Sequence, residues 1–345
     1  MSRKSRFAGA ILLTGFFLAS QAHAYHYWTC GGVKVVWSNS FEMVQNTYSI
    51  APGGARELAA DKAIKRWQNV DGMWNMVSKS STVTTGSSIA QFNFQNDLAV
   101  VPLSSLGGAI GLTMMFHDGC FFGGDAEWIE ADVVAASTLD FGAVEETALP
   151  GNSGREVFIH EFGHAQGLNH TQGFDLMRAG TPLPLVAGPG ETIDVLPDDA
   201  QGGRFLYPTG NDEVNLFASA HRRTSDDKIT TNNSGTVTFC KKGGGTLKVN
   251  ATVGNNGTVD VQQTERWWVS TSKTAHSGGI KVGQWNNGTF LANKVKTREL
   301  EFTMPALEPG TYFLYHGVDV LKEVDESRED DNNVREALVV QVNNC

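Results

Sequence analysis

Residues 160–170 read His160-Glu161-Phe162-Gly163-His164-Ala165-Gln166-Gly167-Leu168-Asn169-His170. This stretch fits the pattern H-E-x-x-H-x-x-G-x-x-H at every fixed position. Just upstream, Ser153 and Glu156 have the S-x-x-E spacing of a capping box, which predicts that a helix begins at Gly154. On that helix His160 and His164 lie one turn apart on the same face, close enough to bind one metal ion.

The remaining positions of the pattern also have physical roles. Gly167 can adopt a positive φ and end the helix sharply, so that His170 approaches the metal from another direction. Three neutral imidazoles with one open position are the catalytic arrangement of zinc, whereas structural zinc sites are closed by four protein ligands. On the helix Glu161 is rotated by about 100° from His160, so it can reach a water on the metal without being a ligand itself. We therefore predict His160, His164 and His170 as ligands of one catalytic Zn²⁺ and Glu161 as the general base.

The alternative is that these histidines are ordinary surface or core residues. With nine histidines in 345 residues, all the fixed positions coincide by chance in about one chain in 10⁴ to 10⁵. Three histidines on an otherwise apolar helix have no other explanation in the sequence.

These residues resemble the metzincin zinc peptidases, and the matrixin group most closely. Met177 follows the third histidine at a spacing that resembles the methionine turn beneath the metal, although a generic core methionine is the alternative. Met177 and Gly167 would thus support the site. The stretch from Leu196 to Tyr207 resembles the final helix of matrixin catalytic domains, and residues 123–128 loosely resemble their stretch rich in glycine and aspartate.

This resemblance covers roughly residues 33–207 and implies an α+β catalytic domain with a mixed sheet and three helices. It also implies that a protein or peptide substrate lies along an edge strand, for which 111–116 is the candidate, beside a pocket bordered by the 181–190 loop. Two features depart from the family. Residue 179 is alanine where related groups place a tyrosine, and His117-Asp118 lacks the partner histidines of a structural zinc site. Asp118 and Asp125 are candidate Ca²⁺ ligands, against the alternative of solvated acidic turns.

The N-terminus has the pattern of a secretory signal peptide over residues 1–24. Basic residues precede an apolar run from Phe7 to Leu18, and the triplet Ala22-His23-Ala24 resembles a cleavage site. The run is too short to span a bilayer, so we expect export, to the extracellular space or the periplasm, without a membrane span. In an oxidising compartment the four cysteines are expected to form disulfides. The simplest of three pairings joins Cys30 to Cys120 and Cys240 to Cys345.

The composition and the spacing of apolar residues change after Pro208. Before it, helical spacing over Ala55–Val70 alternates with strand candidates, among them residues 33–37, 91–94 and 127–134. After it, Thr-, Asn- and Val-rich runs separated by N-N-G turns predict a β-sandwich without helices. We expect a catalytic domain at 25–210 and an immunoglobulin-like sandwich at 211–345.

The sandwich resembles the CARDB module in the acidic stretch 318–334 and in residues 254–258. A cluster at 325–333 could hold calcium or form a solvated turn. Trp267 and Trp268 are adjacent, so one of them should face inward and the other outward, where it would pack on the catalytic domain or bind a surface or matrix partner.

A formal net charge of −10 argues against nucleic acid or an anionic membrane as the partner. The sequence therefore favours a secreted zinc endopeptidase. A surface or matrix adhesion protein that retains a metal site without turnover is the first alternative, and a zinc hydrolase of a non-peptide bond is the second. Adhesion would not need a general base beside an open metal position.

Overall fold

The computed structural model describes residues 25–38, 42–46, 49–68, 70, 77–80, 92–118, 126–142, 153–171, 176–178, 195–208, 212–223, 225, 229–273, 277–326 and 332–345. The predicted signal peptide lies outside these residues, as do the 181–190 loop and the predicted domain boundary after residue 210. Strands are the commonest regular structure among the described residues. Within these ranges, no helix is long and apolar enough to span a membrane.

The first part of the chain contains three α-helices, a short 3₁₀ helix at Leu103–Leu106 and nine strands among the described residues. The helices are α1 (Ala55–Gln68), α2 (Gly154–Ala165) and α3 (Pro197–Leu206). The strands are β1 (His26–Tyr27), β2 (Thr29–Cys30), β3 (Val33–Val36), β4 (Glu42–Gln45), β5 (Val77–Ser80), β6 (Asn96–Val101), β7 (Gly111–Asp118), β8 (Ala126–Ala136) and β9 (Leu168–Asn169).

Seven of these strands form one mixed sheet in the order β2-β3-β8-β6-β4-β5, with β7 paired to β8. Strand β8 runs parallel to β3 and β6 and antiparallel to β7. Among the described strands, β8 is the only partner of β7, so the predicted edge strand lies at an edge. Helices α1 and α2 bury one face of β8, where Ala131, Val133 and Ala135 pack in a core with Trp67 and Phe162.

The second part of the chain contains strands only, within the described residues. They are β10 (Leu216–Ser219), β11 (His221–Arg223), β12 (Ile229–Thr231), β13 (Ser234–Cys240), β14 (Thr246–Asn255), β15 (Val261–Ser270), β16 (Ile280–Phe290), β17 (Lys294–Thr303), β18 (Gly310–Gly317) and β19 (Asn333–Asn343).

Two sheets of the second part face each other as a β-sandwich. One has the order β13-β19-β18-β15-β16 and the other β10-β14-β17. Their inner faces share a core to which β14 contributes Leu247 and Val249, and β15 contributes Trp267. Trp267 is fully buried, whereas Trp268 is half-buried beneath the Arg266 guanidinium. The expected inward and outward tryptophans are confirmed.

The disulfide pairing is confirmed in the described residues for Cys240 and Cys345, whose Cα atoms lie 5.2 Å apart. Cys30 is also disulfide-bonded. Its predicted partner, Cys120, lies outside the described residues.

Three local expectations were wrong. The strand expected at residues 91–94 is replaced by β6, which starts at Asn96, because the backbone amides of Asn93 and Phe94 bend toward the Glu130 carboxylate. The apolar residues at helical spacing in Ala55–Val70 include Leu58, which the pattern places on the buried face of the helix, but Leu58 is 56% exposed.

The second N-N-G sequence, Asn286-Asn287-Gly288, is not a turn between strands. It lies inside β16, where the pairing with β15 shifts register and Gly288 has a φ of 61°. Such a shift is a β-bulge, which a glycine with positive φ accommodates.

Candidate metal centre

Helix α2 begins where its sequence predicts. Ser153 is the N-cap residue, and its side-chain oxygen accepts a hydrogen bond from the backbone N–H of Glu156 at 3.4 Å. This cap satisfies one of the backbone donors that the first helical turn leaves without an intrahelical partner. The cap fixes where the helix starts and therefore which face carries His160 and His164.

The end of α2 delivers the third histidine. Gly167 has a φ of 102°, and its N–H donates to His164 O at 2.8 Å. Immediately afterwards Leu168 and Asn169 pair with Tyr27 and His26 as a short two-stranded sheet. The glycine turns the chain back and the strand pairing holds it there, which brings His170 beside the helix as expected.

The three predicted ligands converge on one point. The Nε2 atom of His170 lies 3.3 Å from His160 Nε2 and 3.1 Å from His164 Nε2. Two nitrogens bound to the same tetrahedral Zn²⁺ at about 2.0–2.1 Å would lie about 3.3 Å apart. The ligand-atom spacing is thus that of a shared ion. Among the described residues, these three histidines are the one group of three or more His, Cys, Asp or Glu side chains whose ligand atoms could share a metal ion.

Backbone carbonyls orient two of the rings. His160 Nδ1 is hydrogen-bonded to Leu176 O, and His164 Nδ1 lies 2.9 Å from Leu168 O. Because a carbonyl only accepts, each Nδ1 must carry the proton, which leaves the Nε2 lone pair free. These two Nε2 atoms lie 3.3 Å (His160) and 3.1 Å (His164) from His170 Nε2, so all three can reach one cation. The donor set therefore fits a divalent metal, and three imidazoles with an open position are a known set of ligands for zinc.

Burial keeps these rings neutral. It lowers the pKa of His160 to about 4, and the neighbouring His170 lowers it further while the Leu176 carbonyl opposes this. Burial also lowers the pKa of His164 well below its ordinary value, and that of His170. Neutral imidazole is the form that binds a metal, so the site has ligands ready across the physiological pH range.

Glu161 lies between α2 and the edge strand β7. Its Oε2 accepts a hydrogen bond from Thr113 Oγ1 at 2.7 Å, and the same hydroxyl lies 2.9 Å from Glu161 O. Burial raises the pKa of Glu161 to about 7, although the Thr113 hydrogen bond opposes the shift. A carboxylate with a pKa near neutrality can both take up and release a proton.

Gly111 makes this placement of Glu161 possible. A Cβ atom at position 111 would lie 2.4 Å from Glu161 Oε1 and 2.6 Å from Val157 Cγ1. Only a residue without a side chain lets β7 approach α2 so closely. Neither Thr113 nor Gly111 could be identified from the sequence, because both act across the interface between two elements.

Met177 packs against the helix that carries His160 and His164. It is buried, and a Cβ atom at Gly163 would lie 2.3 Å from its sulfur. Its backbone is held by Asp199 on α3, whose carboxylate accepts hydrogen bonds from Leu176 N at 2.7 Å and Met177 N at 3.1 Å. The same Leu176 supplies the carbonyl bonded to His160. The sequence placed Asp199 on a helix but did not connect it to the candidate metal centre.

The second candidate cation site is only partly described. Asp118 is exposed, and its Oδ1 accepts from Glu127 N at 3.2 Å, which is an ordinary strand-end contact. Asp125 lies outside the described residues, so Ca²⁺ binding stays a prediction. His117 has an edge-on contact with Trp128.

No known protein family matches the sequence, and no curated protein matches it either. Solved structures do match, and they include the type of module expected for the C-terminal part. Two are the CARDB domain of a Pyrococcus furiosus protein, one of them solved in complex with di-metal ions. They are 17% and 16% identical, cover 38% and 39% of this chain and 89% and 96% of theirs, and have TM-scores of 0.26 and 0.25. A β-glucosidase from Listeria innocua is 16% identical over 39% of this chain and 17% of its own, with a TM-score of 0.22. These scores are too low to carry an argument about function.

Proposed function

We propose that this protein is a zinc-dependent endopeptidase of the metzincin type, closest to the matrixins. The observation that carries the proposal is the convergence of three neutral imidazoles beside a buried glutamate whose pKa is raised to about 7. A structural zinc site would need a fourth protein ligand, and the group of candidate ligands among the described residues has three members. A simple core would not bring three Nε2 atoms together.

In this proposal each residue of the site has a separate role in peptide hydrolysis. Zn²⁺, when bound by His160, His164 and His170, supplies a Lewis acid that acidifies water and polarises the scissile carbonyl. Glu161 takes the proton of the attacking water and later donates it to the leaving amine. Thr113 holds the Glu161 carboxylate in place through its hydroxyl.

The substrate would bind along the edge strand. Strand β7 leaves one edge free of described strands, and a peptide in extended conformation can add to such an edge through backbone hydrogen bonds. Gly111 begins this strand next to Glu161, so a peptide bound there would cross the catalytic carboxylate. The substrate class that follows is a protein or peptide chain in extended conformation.

Export and the C-terminal sandwich complete the proposal. The pattern of residues 1–24 supports secretion, and a disulfide such as Cys240–Cys345 is stable in an oxidising compartment. The sandwich is the candidate for contact with a surface or matrix partner. A role in adhesion alone is disfavoured because it would leave the burial and placement of Glu161 without a purpose.

The test is hydrolysis of casein by the purified full-length protein. We expect activity that a chelator abolishes and Zn²⁺ restores. Glu161→Gln should reduce the rate by at least about a thousandfold while the protein still binds one zinc ion, because the base is lost and the ligands remain. Zinc bound by the wild type without cleavage of any peptide in a library would contradict the proposal and favour adhesion.

A further inference from the structure

The first N-N-G turn of the sandwich is buried, unlike an ordinary hairpin turn. Asn255 is the last residue of β14, and Asn256 and Gly257 begin the connection to β15; Asn256 is only 2% exposed. Asn255 Oδ1 accepts a hydrogen bond from Gly257 N at 2.8 Å, which closes the turn on itself. A Cβ atom at Gly257 would lie 2.4 Å from Glu213 O, so the turn is packed directly against the chain that enters the sandwich.

Asn256 crosses from the sandwich to the zinc-site half of the molecule. Its Nδ2 donates to Val195 O at 2.6 Å, and Val195 is fully buried in the core that contains α1 and α2. Asn256 N donates to Asn215 O at 2.7 Å, which anchors the other end of the contact in the sandwich. A buried amide bonded in this way fixes the position of the carbonyl that it reaches.

Val195 directly precedes Leu196, which is hydrogen-bonded to the residue that holds the backbone next to His160. The next residue, Leu196, is the N-cap of α3, and its N–H donates to Asp199 Oδ2 at 3.3 Å. Asp199 holds the backbone N–H groups of Leu176 and Met177. Leu176 O in turn binds His160 Nδ1. A series of hydrogen bonds, joined through the Val195–Leu196 peptide bond and the Leu176 backbone, therefore runs from the sandwich to His160.

A second set of contacts fixes the other end of α3. Arg204 lies 2.9 Å from the Glu213 carboxylate and donates to Asn293 Oδ1 at 3.1 Å. Phe217 of β10 is buried in the same core as α3, and Val295 of β17 packs against that core. The sandwich thus holds α3 at its beginning and near its end.

We infer that Asn256 is a positioning residue of the zinc site and that the sandwich is a structural part of the catalytic unit. Through its hydrogen bond to Val195 O, Asn256 fixes the position at which α3 begins. Asp199 of α3 in turn holds the Leu176–Met177 backbone, and the Leu176 carbonyl orients the His160 ring. This inference rests on the proposed zinc site, but the hydrogen-bonded series can be tested without metal.

The experiment compares Asn256→Ala with Asn233→Ala in the full chain. Asn233 is the matched control: it is also a buried asparagine of the sandwich, but its amide bonds to Asn250 O at 2.8 Å inside the sandwich. In metal-free protein we measure hydrogen exchange of the segments at 176–178 and 195–206. In zinc-loaded protein we measure zinc affinity by chelator competition, and kcat and KM separately.

We expect Asn256→Ala to speed exchange in both segments, to weaken zinc binding by about tenfold and to lower kcat with little change in KM. Asn233→Ala should change none of these. If Asn256→Ala does not fold, Glu213→Gln is the second variant. It weakens the ion pair between Glu213 and Arg204 of α3 and should show the same pattern to a smaller degree. Zinc affinity and exchange equal to the wild type would overturn the inference. If the wild type binds no zinc at all, the proposed function fails, and faster exchange in Asn256→Ala alone would still support the series of hydrogen bonds.

Discussion

His164 Nε2 and His170 Nε2 lie 3.1 Å apart, each on a neutral ring. His164 Nδ1 is hydrogen-bonded to Leu168 O, so its Nε2 keeps a lone pair on the side of His170. His164 lies on α2, and His170 directly follows β9, the strand after the glycine turn. Folding therefore brings together nitrogen atoms that one bound cation would join.

The first prediction concerns metal removal. A chelator should destabilise the protein because it removes an ion that binds the folded state and not the unfolded state. At a zinc concentration about a thousandfold above Kd, the bound ion adds about 4 kcal/mol to the free energy of unfolding. Differential scanning calorimetry should show a fall in Tm with chelator and recovery with Zn²⁺. In His164→Ala the chelator should have little effect, and an equal effect there would point to another metal site.

The second prediction concerns Gly111. Gly111→Ala places a methyl group where Glu161 Oε1 and Val157 Cγ1 now lie, so either β7 or the carboxylate must move. We expect kcat/KM to fall by about tenfold to a hundredfold, with zinc affinity unchanged because the histidines are not displaced. Gly142→Ala is the control, since its Cβ would meet its nearest neighbour, Asp140 Oδ1, at 3.8 Å. Full activity in Gly111→Ala would show that the Glu161 position is not critical.

The third prediction concerns Gly163. Helix propensity alone would make Gly163→Ala stabilising by about 1 kcal/mol. We expect the opposite sign, a loss of about 1–3 kcal/mol, because the new methyl group would lie 2.3 Å from Met177 Sδ and 2.9 Å from Trp67 Cζ2. Urea unfolding of the two proteins measures the difference. A gain in stability would mean that Met177 does not pack under the helix as described.

The fourth prediction concerns acid stability. Burial lowers the pKa of His221 to about 4, and burial also lowers the pKa of His316, to about 3. In the unfolded chain each histidine takes up a proton below about pH 6.5, whereas in the folded protein it does so only near its lowered pKa. Between these two pH values the unfolded state therefore binds more protons than the folded state. The free energy of unfolding should therefore decrease with falling pH, by about 1.4 kcal/mol per pH unit for each such histidine.

Urea midpoints at about pH 7.5 and 5.0 test this for His221, for which the expected loss is about 2 kcal/mol. His221→Gln cannot take up the proton, so its loss over the same interval should be smaller by that amount. An identical pH dependence in the variant and the wild type would assign the acid sensitivity to other groups.

The local parts of the candidate metal centre could be predicted from the sequence. The capping of α2 by Ser153, the turn at Gly167 and the face shared by His160 and His164 depend on residues within a few positions of one another. Local spacing fixes such features through helix geometry. The same holds for the alternation that placed Trp267 inside the sandwich and Trp268 outside.

The parts that could not be predicted depend on long-range contacts. Gly111 and Thr113 reach Glu161 only because β7 packs beside α2, and Asp199 reaches Leu176 only because α3 packs below it. Both N-N-G sequences predicted ordinary turns. The sheet instead made one of them a bulge in β16, and the contact with Val195 buried the other. Propensity describes the local chain, whereas tertiary packing decides these outcomes.

X-ray absorption spectroscopy of the zinc-loaded wild-type protein tests the central claim most directly. We predict three imidazole nitrogens and one oxygen from solvent, all at about 2.0–2.1 Å from the ion, and loss of one imidazole in His170→Ala. A first shell without imidazole, or one closed by four protein ligands, would contradict a catalytic zinc site built from His160, His164 and His170.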